Sequence, residues 1–121
     1  MAEQRRANVR LVDEAGAEPR VAAVFEDIRR VKGIDFVPDF WRALATNPLN
    51  LELTWTRLRA LMHPEADGRA GRIDPLTREI IALAVSATNG CAYCTSSHTA
   101  AALKLGLDVE AILLTHTHVD H

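Results

Sequence analysis

The chain has 121 residues, which fits one domain, and its apolar and charged fractions of 48% and 25% are those of an ordinary globular protein. A formal net charge of −2 gives no basic surface for nucleic acid or an anionic membrane, and no apolar run reaches the ~20 residues of a membrane span. No apolar segment follows the N-terminal arginines as a secretory signal requires. We therefore predict a cytoplasmic protein without nucleic-acid or membrane partners.

The N-terminal residues 1–19 are polar and lack periodicity, and they predict a flexible arm ahead of a helical domain at residues 20–121. Apolar residues then recur at three- and four-residue spacing, which is typical of an amphipathic helix. Gly33 is a suitable end for this helix. Its predicted buried face consists of Val21, Val24, Phe25, Ile28 and Val31.

A short helix is predicted to open at Pro38 and to end near Asn47 and Pro48. A longer helix follows as far as Met62, and residues 63–72 are rich in turn formers, which predicts a surface loop. The predicted apolar surface of the longer helix consists of Leu51, Leu53, Trp55, Leu58, Leu61 and Met62.

Two further helices are predicted in the second half of the chain. Asp74 is a suitable N-cap with Pro75 at the first helical position, and this helix runs to the break at Asn89-Gly90. The next helix starts near Cys91 and ends at Leu105, with Gly106 as its cap, before a last segment at residues 109–114. No alternating strand of convincing length interrupts this order, so the predicted fold is an all-α multi-helix bundle.

The chemistry-bearing residues lie around the start of the last long helix. Cys91 and Cys94 are three residues apart and share one helix face, so they are close enough to form a disulfide, and the helix N-terminus favours the reactive thiolate. His98 follows Cys94 by one turn and could hold or pass a proton. Glu79 is a carboxylate within an apolar run of the preceding helix, where it serves as a base or needs a partner.

Other interpretations of these residues remain open. Cys91, Cys94 and His98 are three potential zinc ligands, with a fourth from His63 or the C-terminal histidines. The cysteines could equally be buried and inert in a non-catalytic helical oligomer. Glu79 could be an exposed residue paired with an arginine such as Arg72 or Arg78.

The spacing of these four residues resembles one branch of the carboxymuconolactone decarboxylase superfamily, the alkyl hydroperoxidase D-like (AhpD-like) branch. That branch has a glutamate twelve residues before a Cys-x-x-Cys-x-x-x-His motif, and Glu79, Cys91, Cys94 and His98 match each element. The resemblance covers roughly residues 20–114. Because decarboxylases of the superfamily usually lack the cysteine pair, the resemblance points away from lactone decarboxylation, which stays the alternative enzyme activity.

The resemblance implies a thiol-dependent alkyl hydroperoxidase with a redox-active Cys91–Cys94 disulfide and no other cofactor. Cys94 would attack the peroxide and become a sulfenic acid, and Cys91 would condense with it. Glu79 and His98 would relay protons during these steps. The best-known members have histidine directly before the second cysteine, where this chain has Tyr93.

The resemblance also implies partners and an assembly. A thioredoxin-like or lipoyl-carrying protein would supply electrons, and helical subunits would assemble as dimers, trimers or hexamers. Relatives continue with one more apolar helix, which we expect this chain to lack because it ends at His121.

The C-terminus has the pattern His-x-His-x-Asp-His, formed by His116, His118, Asp120 and His121. This is the metal signature of the metallo-β-lactamase fold, but the sheet layers and later ligands of that fold are missing from the sequence. The four residues are therefore weak metal-ligand candidates at most, a chance match or a tail that attracts metal ions.

Overall fold

The computed structural model describes residues 9–108 and residue 110, and within this part of the chain every regular element is helical, which confirms the all-α fold. The chain divides into two compact units, residues 1–66 and residues 67–121. The elements in chain order are α1 (Pro19–Lys32), α2 (Asp39–Leu44), α3 (Pro48–Met62), a 3₁₀ turn (Pro64–Asp67), α4 (Pro75–Thr88) and α5 (Ala92–Lys104).

The first unit is built on α3, against which α1 and α2 pack. Its two tryptophans, Trp41 and Trp55, meet edge to face with ring centroids 5.4 Å apart, a favoured aromatic geometry. The buried core consists of Val21, Phe25, Ile28, Val37, Trp41, Ala45, Leu51 and Trp55. Two residues of the predicted apolar surface of α3, Leu53 and Leu61, are 59% and 69% exposed, because they lie off the face that carries Leu51 and Trp55.

The limits of α1 follow from two residues with restricted or unusual backbone geometry. Pro19 occupies the first helical turn, where the missing N–H has no partner to lose. Gly33 ends the helix with φ 67°, a left-handed conformation that glycine adopts without steric cost. The predicted end of this helix is confirmed.

The described part of the predicted N-terminal arm contacts the first unit. The Val12 N–H donates to the Arg42 carbonyl at 3.1 Å, and Arg42 Nε donates to the Val12 carbonyl at 2.8 Å. Arg29 pairs with Glu14 at 2.8 Å, and Ala17 packs against the core. These contacts join residues 12–17 to α1 and α2, whereas the domain boundary at residue 19 stays a prediction.

The second unit is a pair of helices, α4 and α5, packed against each other. The predicted N-cap of α4 is confirmed: Asp74 accepts from the Thr77 N–H at 3.1 Å and from the Thr77 hydroxyl at 2.7 Å. Five of the described residues of this pair are buried. Three of them are polar or charged, Arg78, Glu79 and Ser86, and two are apolar, Leu83 and Ala102.

The start of the predicted loop and the end of α5 differ from the predictions. The expected surface loop at residues 63–72 begins with the 3₁₀ turn, because buried Pro64 restricts the backbone there. Helix α5 ends at Lys104, with Leu105 as its C-cap and Gly106 next, at φ 101°. The predicted last segment at residues 109–114 lies outside the described residues, apart from residue 110. Among the described helices, none is long and apolar enough to span a membrane.

Candidate functional site

The connection between α4 and α5 places Cys91 at a defined point. The Gly90 N–H donates to the Ala87 carbonyl at 3.1 Å and the Cys91 N–H donates to the Ser86 carbonyl at 3.0 Å. This pair of bonds is the Schellman motif, and it requires the left-handed conformation that Gly90 adopts with φ 70°. Because Cys91 is also the N-cap of α5, one residue both closes the first helix and starts the second.

The two cysteines are joined as a disulfide across the first turn of α5. Their Cα atoms are 5.3 Å apart, which lies in the normal range for a disulfide. The Cys94 N–H donates to Cys91 Sγ with an N···S distance of 3.2 Å. Cys91 sulfur therefore occupies the place of a capping side-chain oxygen and receives one of the otherwise unpaired N–H groups of the helix start.

Glu79 and His98 form a direct hydrogen bond between α4 and α5. His98 Nδ1 and Glu79 Oε1 are 2.7 Å apart, and their side chains are 17% and 8% exposed. When His98 is neutral and Nδ1 carries the proton, its Nε2 is left as a proton acceptor. The sequence predicts that Glu79 acts as a base or needs a partner, and its partner in the structure is His98. The alternative of an exposed glutamate is wrong, because Glu79 is buried.

Helix register brings the histidine to the cysteine pair. His98 is four residues after Cys94, which places the two on one face of α5 about 6 Å apart along the axis. Tyr93, at the position where the best-known relatives have histidine, stands between the cysteines in the sequence and is half-buried. All four residues of the predicted motif therefore belong to the α4–α5 pair.

This arrangement combines a reversible sulfur couple with a proton acceptor and donor. A disulfide between neighbouring cysteines at a helix start can be opened by a thiolate and closed again by an oxidant. A carboxylate bonded to imidazole can orient the ring and move one proton at a time. The site is thus equipped for thiol–disulfide chemistry with proton transfer.

The residues named as potential zinc ligands are placed differently. In the disulfide, neither cysteine is a thiolate that could bind a metal ion. His63 is the C-cap of α3 in the first unit, where its ring lies 6.4 Å from that of Trp55. Among the described residues there is no group of three or more His, Cys, Asp or Glu placed to hold a metal ion. The candidates His116, His118, Asp120 and His121 lie outside the described residues.

Sequence reasoning missed the capping role of Cys91 and the contribution of the Ser86 carbonyl. The sequence predicts a break at Asn89-Gly90 and a helix start near Cys91, but it assigns no cap. The signal was available in principle, because a glycine after an apolar helix and directly before the first cysteine is the order that a Schellman motif needs.

Comparison with protein families gives a match to the carboxymuconolactone decarboxylase family over residues 55–120. This segment includes all of α4 and α5 and therefore every residue of the motif. The matched part is more than half of the chain.

Two relatives are similar to this chain. The crystal structure of the alkylhydroperoxidase AhpD core from Rhodospirillum rubrum superposes with a TM-score of 0.81 and 43% sequence identity, covering 94% of this chain and 82% of that one. The uncharacterized protein YdfG of Bacillus subtilis (strain 168) is 36% identical over 59 residues, which are 49% of this chain and 40% of that protein. This chain thus matches less than half the length of YdfG.

Proposed function

Because the chain belongs to the carboxymuconolactone decarboxylase family and to its AhpD-like branch, we propose that it is a thiol-dependent peroxidase that reduces hydroperoxides through a Cys91–Cys94 disulfide. The observation that carries the proposal is the disulfide at the start of α5, one turn from a histidine that is hydrogen-bonded to a buried glutamate. The similarity to the AhpD core over most of both chains supports it.

The proposed cycle starts from the dithiol. His98, oriented by Glu79, takes the proton of Cys94, and the thiolate attacks the terminal oxygen of the hydroperoxide. The O–O bond breaks, the alkoxide takes a proton to become an alcohol, and Cys94 becomes a sulfenic acid. Cys91 then attacks Cys94 Sγ and expels hydroxide, which leaves as water after protonation. Each turnover thus converts one hydroperoxide and two thiols into an alcohol, water and a disulfide.

The second half of the cycle needs an electron donor. A dithiol carried by a thioredoxin-like or lipoyl protein is the chemical class that would return the disulfide to two thiols. Such donors are kept reduced in the cytoplasm, so we keep that compartment as the proposed location. We also propose that the chain forms a homo-oligomer, as the family resemblance implies.

The direct test is the intact mass of the reduced, full-length protein before and after one equivalent of an organic hydroperoxide, measured under native and denaturing conditions. We expect rapid loss of two hydrogen atoms without a metal adduct. A bound metal ion with no oxidation would replace the proposal with a zinc site. An unchanged, metal-free mass would replace it with a non-catalytic oligomer.

Single-cysteine variants assign the steps. Cys94→Ser is expected to abolish peroxide turnover, because it removes the attacking sulfur. Cys91→Ser is expected to leave Cys94 oxidised without an internal bridge, which adds one or more oxygen atoms to the mass. Serine keeps an oxygen at the helix start in both variants, and circular dichroism checks that their helix content is unchanged. Wild-type turnover by both variants would contradict the assignment.

A further inference from the structure

The two sulfur atoms of the disulfide have unequal surroundings. Cys91 Sγ accepts the Cys94 N–H at 3.2 Å, and Cys91 has the extended backbone of an N-cap, with φ −85° and ψ 102°. The backbone on both sides holds this position, since the Cys91 N–H is bonded to the Ser86 carbonyl. Negative charge that develops on Cys91 therefore meets a donor already in place and the positive end of the α5 dipole.

Negative charge on Cys94 has a different neighbour. Along the axis of α5, His98 lies about 6 Å from Cys94 and about 10 Å from Cys91. His98 is bonded to Glu79, so the neighbour of Cys94 on this helix face is an imidazole–carboxylate pair. In the described part of the chain, no hydrogen bond to Cys94 Sγ matches the one that Cys91 Sγ accepts from the Cys94 N–H, so ionisation of Cys94 depends on a base such as His98.

Two other charged or titratable side chains of these helices, Arg78 and Tyr93, lie in this part of the chain. On α4, Arg78 is buried, but it precedes Glu79 and so lies about 100° around the helix axis from it. On α5, Tyr93 is half-buried and uncharged near neutral pH by its ordinary chemistry. The hydrogen bond to Cys91 Sγ therefore remains the observed difference between the two sulfur atoms.

From this asymmetry we infer that Cys91 is the thiolate-bearing cysteine of the reduced protein and the leaving group when the disulfide is reduced, so that the incoming electron donor bonds to Cys94. The inference rests on the proposed function for its biological use. It also explains the presence of Glu79 and His98, because the helix start stabilises a thiolate on Cys91 and leaves Cys94 in need of a base.

Reduction of the disulfide proceeds through two thiol–disulfide exchanges. A thiolate of the donor dithiol attacks Cys94 Sγ, the S–S bond breaks, and its electron pair passes to Cys91 Sγ. The Cys94 N–H then stabilises the new Cys91 thiolate by donating a hydrogen bond to it. The second thiol of the donor then loses its proton and attacks its partner sulfur in the mixed disulfide. Cys94 leaves, takes up that proton, and the donor departs as a disulfide. The preferred attack on Cys94 follows because the better-stabilised thiolate leaves faster.

The first experiment measures which cysteine ionises first, in the wild-type chain. The reduced protein is treated with limiting iodoacetamide across a range of pH, and the label is located by tandem mass spectrometry. Both cysteines fall in a single tryptic peptide, residues 79–104, so their labelling is compared within one molecule. We expect about tenfold more label on Cys91 near neutral pH, and an inflection at least about one pH unit lower than for Cys94. Equal labelling or a reversed order would overturn the inference.

The second experiment measures which sulfur is attacked. The oxidised protein is mixed with 2-mercaptoethanol, quenched with acid and mapped, and we expect the mixed disulfide on Cys94 with Cys91 free. An adduct that is equally or more abundant on Cys91 would overturn the inference. The variants Cys91→Ser and Cys94→Ser check the labelling result one thiol at a time. Neither experiment contains peroxide, so failure of the peroxidase proposal would leave these readouts unaffected.

Discussion

At the scale of single residues, the Glu79–His98 hydrogen bond is the contact on which the proposed proton transfer depends. The carboxylate is 8% exposed and its oxygen lies 2.7 Å from His98 Nδ1. A buried carboxylate in this position orients the ring and balances the charge of an imidazolium. Its replacement should therefore affect chemistry more than folding.

We expect Glu79→Gln to slow peroxide-driven disulfide formation by about 10²-fold or more, because the variant keeps a hydrogen-bond acceptor but loses the charge. Stopped-flow mixing of the reduced protein with an organic hydroperoxide measures the rate. Glu26→Gln, at an exposed position of α1, is the matched control and should react like wild type. A combined Glu79→Gln and His98→Gln variant should be no slower than the slower single variant, since the two act as a unit. Additive losses would contradict the coupling.

A second residue-scale contact stabilises the first unit. Asp27 Oδ2 accepts from Trp55 Nε1 at 2.7 Å and from Arg59 Nη1 at 2.9 Å, which links α1 to α3. Burial alone would raise the pKa of Asp27, but hydrogen bonds from Trp55 and Arg30, with the nearby charge of Arg59, outweigh it and lower the pKa. The folded state thus binds this proton less readily than the unfolded state does.

We expect Asp27→Asn to lower the free energy of unfolding by about 1–3 kcal/mol near neutral pH. A lowered folded-state pKa gives stability that is complete above the unfolded value of about 3.9 and is lost as pH falls through the folded value. The difference between wild type and variant should therefore shrink in acid. Urea unfolding followed by tryptophan emission measures it, since both tryptophans belong to the first unit.

The control for this prediction is Asp13→Asn. The Asp13 side chain is 87% exposed and its pair with Arg42 has an N···O distance of 3.2 Å. Exposed pairs of this kind contribute little, so stability should stay close to that of wild type. Equal losses in both variants, or a difference that does not depend on pH, would show that the Asp27 charge is not the cause.

At the scale of elements, the junction between α4 and α5 sets the position of the cysteine pair. Gly90 has φ 70° and forms the Schellman motif that leads directly into the α5 N-cap. No atom outside its immediate neighbours lies within 4 Å of a Cβ added there, so backbone conformation alone opposes a side chain. A substitution at Gly90 therefore tests the backbone conformation without adding a steric clash.

We expect Gly90→Ala to destabilise the protein by about 1 kcal/mol, because alanine is disfavoured in the left-handed conformation. Urea unfolding followed by far-ultraviolet circular dichroism measures the change. Gly16→Ala is the matched control, since that site is also open but has no positive φ. Equal stability of the two variants would contradict the assigned role of Gly90.

At the scale of the whole molecule, the described surface carries many large apolar side chains. On α4, Ile81 and Val85 are one turn apart and are 48% and 53% exposed. On α3, Leu53 and Leu61 are also exposed. Exposed apolar residues that neighbour one another, as Ile81 and Val85 do, often mark protein–protein contacts. This is consistent with the proposed homo-oligomer.

We expect light scattering after size exclusion to give a multiple of the 13.3 kDa chain mass, at least a dimer, because burying apolar side chains between subunits is favourable. The mass should fall on dilution if the assembly is reversible. A constant mass of one chain at all concentrations would contradict the proposed assembly while leaving the chemistry of the motif to be tested separately.

Sequence alone determined much about this protein. Apolar spacing, caps and helix breaks together placed the five described α-helices, because signals such as Gly33 and Asp74 depend on local geometry. The motif spacing assigned Glu79, Cys91, Cys94 and His98 to one site, and they do lie together on α4 and α5. The chemical roles of these four residues stay predictions.

Tertiary structure decided what periodicity cannot encode. A helical pattern identifies an apolar stripe but not how much of it a neighbouring helix covers, so Leu53 and Leu61 proved exposed. Whether Glu79 pairs with an arginine or with His98 depended on how α4 packs against α5. The asymmetry between Cys91 and Cys94 likewise depended on hydrogen bonds at the junction of α4 and α5. Every residue except proline has a backbone N–H and a carbonyl, so only their placement in the fold decides which of them contact the cysteines.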